Sequence, residues 1–359
     1  MHPSDPRSSS YSGRSHYYSP RRRQTAIERN AEAGDRLAVM GEALLARLRG
    51  VEPAGQASIY DRCRLGDFET LCKVGARGTV ALAGAAGIAD FAFLLADVAE
   101  RRALDYYRLE RPSYRLVTRD SPFRNFKPHR HGAVDFSPLS LVAQHAEYRV
   151  GLVGEVGEDV VAATYGAILG LSRAAIVNDD SGALDDVALT AAAQAVAAEN
   201  QLFWALLASN PVLRDGHAYF SSAHANVAPA GALSPTALGN AFALLRQQTS
   251  PSGAKITMAP RFLAVGPTNE IAAREALLAI TPPSGVAPVE LVVEAHITDS
   301  TYYVFADPRL RPGWVAGRIG TLTVMPRPGF KFAGVELKAS LDFGTGPVDP
   351  RPAVRGPGA

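Results

Sequence analysis

The stretch "LDDVALTAAAQAVAAENQLFWALLASNP", residues 184–211, constrains the fold most. Alanine is the strongest helix former, and it fills the middle. Asp185 and Asp186 stand where a helix start favours negative charge, and Pro211 ends the run. At about 1.5 Å per residue, a helix over 185–209 is a rod of about 35–40 Å. Val187, Ala191, Gln194, Ala198, Leu202 and Ala205 make no single greasy stripe. Such a rod suits close packing against a sheet or a neighbouring molecule.

Upstream of the rod, Leu37, Met40, Leu44 and Leu48 recur at helical spacing within 25–49, although Gly34 and Gly41 weaken the pattern. "EPAGQ" breaks it. A second helix is expected over 59–74, with Ile59, Cys63 and Phe68 on one side, then an extended 74–87. A third is expected over 88–107, with the stripe Phe91, Leu94, Leu95 and Val98. From 112 to 161 the pattern becomes extended, through "YRLVTRD", "SPFRNFKPHRHG" and "YRVGLVGEVGEDVV". This excursion has polar faces and no evident core, and an isolated hairpin is marginal in water. It therefore needs another surface, such as a second subunit. Helix is expected again over "ATYGAILGLSRAAIV", ending at "NDDSG".

Beyond the rod, strand and helix alternate. Ser234 caps a helix that has Pro235 in its first position. "ITMAPRFLAV" is a strand whose Pro260 implies an edge or a bulge. "NEIAAREALLAI" is a helix. "VELVVEAHI", "TYYVFAD", "GTLTVM" and "GVELKASLDFG" are strands. The Pro- and Gly-rich end is too irregular for an element, unless pinned in extended form. No internal repeat is present.

The 359 residues allow two or three domains or one large irregular one. With 37 Lys and Arg against 35 Asp and Glu, the whole molecule is not strongly drawn to nucleic acid or membrane. Cys63 and Cys72 have neither zinc-ligand nor redox spacing, and they are expected as free thiols from a reducing compartment. No apolar run is long enough for a transmembrane helix. The N-terminal 24 residues lack the apolar centre of a secretory signal. They form a Ser-, Pro-, Tyr- and Arg-rich tail. Over 1–30, six arginines oppose Asp5 and Glu28, so the tail is either a solvated arm or a nucleic-acid contact.

Catalytic patterns are sparse. Neither a phosphate-binding loop nor H-E-x-x-H occurs, and "GLVGEV" lacks the third dinucleotide glycine. "GLSRA" around Ser172 lacks the second glycine of a nucleophile elbow and follows no expected strand. His129 and His131 share a strand face but have Arg130 between them and no acid nearby. "DGHAYFSSAHANVAPAG" gathers Asp215, His217, Ser221 and His224, but its turn residues make it a loop around a short "HAYF" strand. A serine hydrolase using Ser221 or Ser172 with His224 is the enzymatic reading. No catalytic, cofactor or metal site is assigned.

Several blocks occur in order: "GIADFAFLLADVAERRALDYY", "AEYRVGLVGEVGE", "ATYGAILGLSRAAIVNDDSGAL", "LLASNPVLRDGHAYFSSAHANVAPAGALS", "RFLAVGPTNEIAAREAL" and "YYVFADP". Together they resemble the major capsid proteins of tailed phages and prophages, most closely the Mu-like major head subunits. The resemblance runs from about Gly87 to the C-terminus.

It implies an α+β, Hong Kong 97-type capsid fold without enzymatic activity or cofactor. The implied parts are an N-terminal tail or arm at 1–86, an N-terminal helix at 87–111 and an extended loop at 112–161. A peripheral domain at 162–211 carries the spine helix at 185–209. An axial domain follows at 212–320, then return strands and a tail at 321–359. Subunits would form hexamers and pentamers in an icosahedral shell around double-stranded DNA. The implied partners are further copies, a portal, a prohead protease, a decoration protein and weakly held DNA. The place is the virion capsid, assembled in the host cytoplasm.

Assembly residues under this reading are Phe123, Lys127, His129, His131, Glu147, Glu155, Glu158, Asn178, Asp179 and Asp180. Lys127, beside Asn125, is either a surface lysine or one end of an isopeptide crosslink. Deleting 121–132 is expected to abolish assembly and leave a soluble chain. An encapsulin-like cargo shell of the same fold is the third reading.

Overall fold

The structure is a computed structural model that describes residues 36–77, 86–132, 157–179, 181–250, 253–280, 289–327 and 334–359. Residues 1–98 and 99–359 form two compact units.

The first unit is helical. Helix α1 spans 36–49 and buries Met40, Ala43, Leu44 and Leu45. Gly41 keeps this helix close to its neighbour: a Cβ there would lie 3.5 Å from Leu94 Cδ1. A 3₁₀ turn at Gly55–Tyr60 follows, and α2 spans Leu65–Arg77. The second helix thus starts later than expected. Ile59 is 77% exposed in the turn, and Asp67 Oδ2 marks the helix start by accepting from Arg64 N at 2.8 Å. Residues 74–77 are helical rather than extended. The stripe Phe91, Leu94, Leu95 and Val98 of α3, Ala86–Leu109, is buried. Cys63 and Cys72 are both free thiols.

In the second unit, "YRLV" is a helical turn, α4 (Tyr114–Val117), not a strand; only Arg119–Asp120, β1, is extended. Two short strands, β2 (His129–Gly132) and β3 (Gly157–Val160), pair antiparallel, with Gly132 opposite Gly157. The segment "ATYGAILGLS" is strand β4, Ala163–Ser172, and only Arg173–Val177 is helical, α5. Alanine, glycine and leucine give this run no preference of its own. Ten successive pairings with β10, Gly334–Pro347, decide it.

The rod is helix α6, Ser181–Ala208, so it starts four residues before Asp185. It packs on β4 and β10. Ala188, Ala191, Ala192 and Ala195 are buried on the helix, and Leu337, Ala339 and Leu341 on β10. Small side chains let the helix lie close to the pleated surface.

A helical pair, α7 (Pro235–Gln247) and α8 (Glu270–Ile280), flanks the second sheet. Ser234 Oγ caps α7 by accepting from Ala237 N at 3.2 Å. Strand β5 is Pro260–Val265, β6 is Glu290–Val293 and β7 is Tyr302–Ala306. Next come β8 (Trp314–Arg318), β9 (Thr323–Arg327) and, after β10, β11 (Ala353–Gly356). One sheet runs β1-β8-β10-β4 with β9 also on β10; the other runs β11-β7-β5-β6. Pro260 opens β5 at a register shift against β7, which lets a proline stand in an interior strand. Leu238, Ala241, Leu245, Ala273 and Ala276 pack with Leu263, Val265, Tyr302 and Val304 as this sheet's core.

Two strands escaped the sequence. Strand β8, "WVAGR", belongs to the first sheet, although it falls inside 212–320. The end of the chain is an element after all: β11 pairs with β7 in the second sheet rather than returning to the first. Ala353 and Val354 supply a fully buried pair there. "HAYF" makes only one bridge, Ala218 to Val212. Among the described residues, no helix is long and apolar enough to cross a membrane.

Candidate assembly site

The base of the excursion is fixed to its own subunit. Phe123 N donates to Arg318 O at 3.0 Å, and the Phe123 ring packs with Val160, Ala162, Val315 and Val348. Phe123 is only 5% exposed, so the base does have a core. This corrects the expectation for the 121–132 deletion, which would strip that core as well as the projection. Glycines make the close approach possible. A Cβ on Gly317 would lie 1.8 Å from Ser121 O, and one on Gly344 would lie 2.6 Å from Val161 O.

Around this base stand four of the expected residues. His129 stacks on Phe123 with centroids 4.9 Å apart, and His131 lies 6.2 Å away. Burial first, then the charges of His129 and Arg119, push the His131 imidazole below its ordinary pKa. Its Nε2 has no partner among the described residues. Glu158 faces His131 across the β2–β3 ladder, and its Oε1 accepts from Arg214 N at 2.9 Å. The Arg214 guanidinium also grips Asp159, which lies 3.6 Å from Arg130. Lys127 sits at an exposed tip where its backbone N donates to Asn125 Oδ1 at 3.0 Å. Asn178 and Asp179 lie elsewhere, in the turn from α5 to α6, with Asp179 in the left-handed region at φ 57°. Glu147, Glu155 and Asp180 fall outside the described residues.

A second cluster was not foreseen. Glu199, midway along α6, is wholly buried. It accepts from Tyr107 Oη, from Tyr114 Oη at 2.7 Å, from Arg318 Nε at 2.5 Å and from Arg115 Nη2 at 3.3 Å. Burial raises its pKa, but the contacts with Arg318, Tyr107 and Tyr114 together outweigh burial and hold the carboxyl below the usual range. Burial and then the Glu199 charge raise both tyrosines. The next residue, Asn200, donates from Nδ2 to Glu294 Oε2 at 2.9 Å, and one turn further Trp204 Nε1 donates to Ser113 Oγ at 2.9 Å. Ser113 Oγ in turn reaches Glu294, whose Oε1 lies 2.6 Å from His296 Nδ1. The network ties the 107–118 segment, the rod, β8 and the end of β6 together. Its signal in the sequence was "EN", two polar residues at the centre of an alanine-rich helix.

The 215–226 loop does assemble a serine, a histidine and an acid. His224 Nε2 lies 2.6 Å from Asp215 Oδ2, and His224 Nδ1 lies 3.1 Å from Ser221 Oγ. Nδ1 is also 3.0 Å from Tyr219 O, a carbonyl that can only accept. A nitrogen that donates to Tyr219 has no lone pair with which to take the Ser221 proton. Burial raises the Asp215 carboxyl, but the contacts with His224 and His217 together more than offset it and keep the acid low. Buried Asn226 fixes the loop: it donates to Tyr219 O and Pro350 O and accepts from Ser221 N. Ser172 does follow a strand, contrary to expectation, but its Oγ caps α5 by accepting from Ala175 N. No group of three or more metal-ligating side chains exists among the described residues.

The second unit thus combines a rod braced on one sheet with a pinned β2–β3 base. The model of the phage capsid protein family matches residues 156–356, more than half of the chain. The chain belongs to that family: it is a phage capsid protein with a mixed α and β fold, structural rather than enzymatic. No curated protein matches the sequence. Among solved structures it is similar to a virus-like particle from Pyrococcus furiosus, at 12% identity and TM-score 0.48, over 72% of this chain and 98% of that one. A holo-encapsulin complex from Synechococcus elongatus is similar at 13% identity and TM-score 0.45, over 69% and 88%. The capsid of a cyanophage is similar at 12% identity and TM-score 0.44, over 70% and 89%.

Proposed function

We propose that copies of this chain close into hexamers and pentamers of an icosahedral phage head, in the manner of the Mu-like head subunits. In this reading the excursion at 112–161 lies across a neighbouring subunit. The 185–209 rod is the peripheral spine, and much of 212–320 gathers about the capsomer centre. The observation that carries the reading is the paired base of the excursion. Gly132 stands opposite Gly157, so residues 133–156 connect two ends that leave the sheet side by side. Area buried by that segment on a neighbour would link each subunit's stability to assembly. Portal, prohead protease, decoration protein and weakly bound double-stranded DNA are the partners of such a shell, and the host cytoplasm is its place of assembly.

Replacing 133–156 with a short Gly-Ser link tests this. The expected product is a soluble subunit with unchanged unfolding that forms no shells by negative-stain microscopy. Normal shells from it would overturn the reading. Packaged DNA in particles made with portal and protease distinguishes a phage head from a cargo shell.

A further inference from the structure

Two exposed surfaces of the second unit complement each other, and neither is covered by another described residue of the subunit. One is the turn after β7. Asp307 holds it: Asp307 Oδ1 accepts from Arg309 N at 2.9 Å, and Asp307 O accepts from Leu310 N and Arg311 N. The turn thereby presents Leu310, 82% exposed, between two arginines that are unpaired among the described residues. The other surface is the outer face of α8. Ile271, Arg274, Glu275 and Leu278 follow the i, i+3, i+4, i+7 spacing of one helix face. Ile271 is 73% and Leu278 80% exposed. Arg274 is neutralised by Glu270 at 2.7 Å, which leaves the exposed Glu275 as that face's free charge among the described residues.

We propose that the Arg309–Leu310–Arg311 turn of one copy docks on the Ile271–Glu275–Leu278 face of the next copy. The leucine covers the two apolar side chains, and the arginines flank Glu275. The occupant is a second copy because charge and apolarity match between the two surfaces, while each surface is exposed in its own subunit. The contact joins unlike patches. Such a heterologous contact, repeated by rotation, closes a ring, whereas a contact between like patches stops at two. The inference rests on the ring-forming reading above and names one seam of that ring.

The full-length chain is the test material. Arg309→Glu with Arg311→Glu should leave the unassembled subunit's unfolding midpoint unchanged. Shell yield on a density gradient should fall on the order of tenfold or more, because the seam then juxtaposes like charges. Glu275→Arg alone should do the same, and all three substitutions together should recover most of the yield. Separately, Leu310→Cys with Leu278→Cys should give, under mild oxidation, disulfide ladders between copies on a denaturing gel. Wild-type yield from the Arg309/Arg311 variant, no recovery in the triple variant, or wild-type-like shells without ladders would overturn this seam alone. A wild-type chain that forms no oligomer would overturn the ring-forming reading and the seam with it.

Discussion

At the scale of single residues, the chain depends most on charges buried with their partners. Glu199→Gln keeps the shape of the side chain but leaves Arg318 with only the exposed Asp120, 3.8 Å away, as counter-charge. Removing one member of a buried, hydrogen-bonded pair costs about 3 kcal/mol, so denaturant unfolding of the unassembled subunit should shift by that order. Because the Glu199 and Glu294 carboxyls are held below their ordinary values, their stabilisation is present above the unfolded carboxyl pKa of about 4.3. It is lost as pH falls further, through the folded values. His131 acts in a higher window. Its folded pKa is also depressed, so the unfolded chain binds the proton first as pH drops through about 6.5. Stability is therefore full above that pH and declines below it. Protection factors at β2 and β3, with the intrinsic pH dependence of amide exchange divided out, should fall between pH 7 and 5, and His131→Gln should remove that slope. An unchanged slope in the variant would assign it to another group.

At the scale of elements, the sequence was most legible where a period is long and caps are strong. The rod, α3, α7, α8 and the strands β5, β7 and β10 declare themselves through such patterns. The strand β4 did not, because its alanines and glycines take their conformation from β10. Nor did β8 and β11, which are short and lie among glycines and prolines. The same glycines now make a sharp prediction. Gly317→Ala would drive a methyl group into Ser121 O, a backbone atom that cannot step aside. Overpacking of this kind costs about 1–3 kcal/mol and should loosen the seat of Phe123. Gly239→Ala, inside α7 with open space at its Cβ, should instead stabilise by about 0.5–1 kcal/mol through helix propensity. Thermal unfolding of the two variants should therefore move in opposite directions.

At the scale of the whole molecule, family and purpose were legible from ordered sequence blocks, while the bracing was not. The Glu199 network joins residues 107, 114, 199 and 318, and the excursion clamp joins 158, 159 and 214. Side chains so far apart in sequence leave no local pattern to read. For the subunit alone, the clamp matters little. Arg214 and Asp159 are partly exposed, and such pairs contribute about 0.5–1 kcal/mol. In the proposed shell the same contact is magnified, because any change at the β2–β3 base is repeated in every copy. Arg214→Ala should thus lower the unfolding free energy by no more than about 1 kcal/mol. The particle diameters seen by electron microscopy should nonetheless broaden or split into several classes. Arg214→Lys keeps the charge and the backbone bond to Glu158 but loses the planar guanidinium on Asp159, and should fall between the two. Uniform shells of wild-type size from Arg214→Ala would show that contacts made by the neighbour, rather than the clamp, fix the β2–β3 base in the proposed shell.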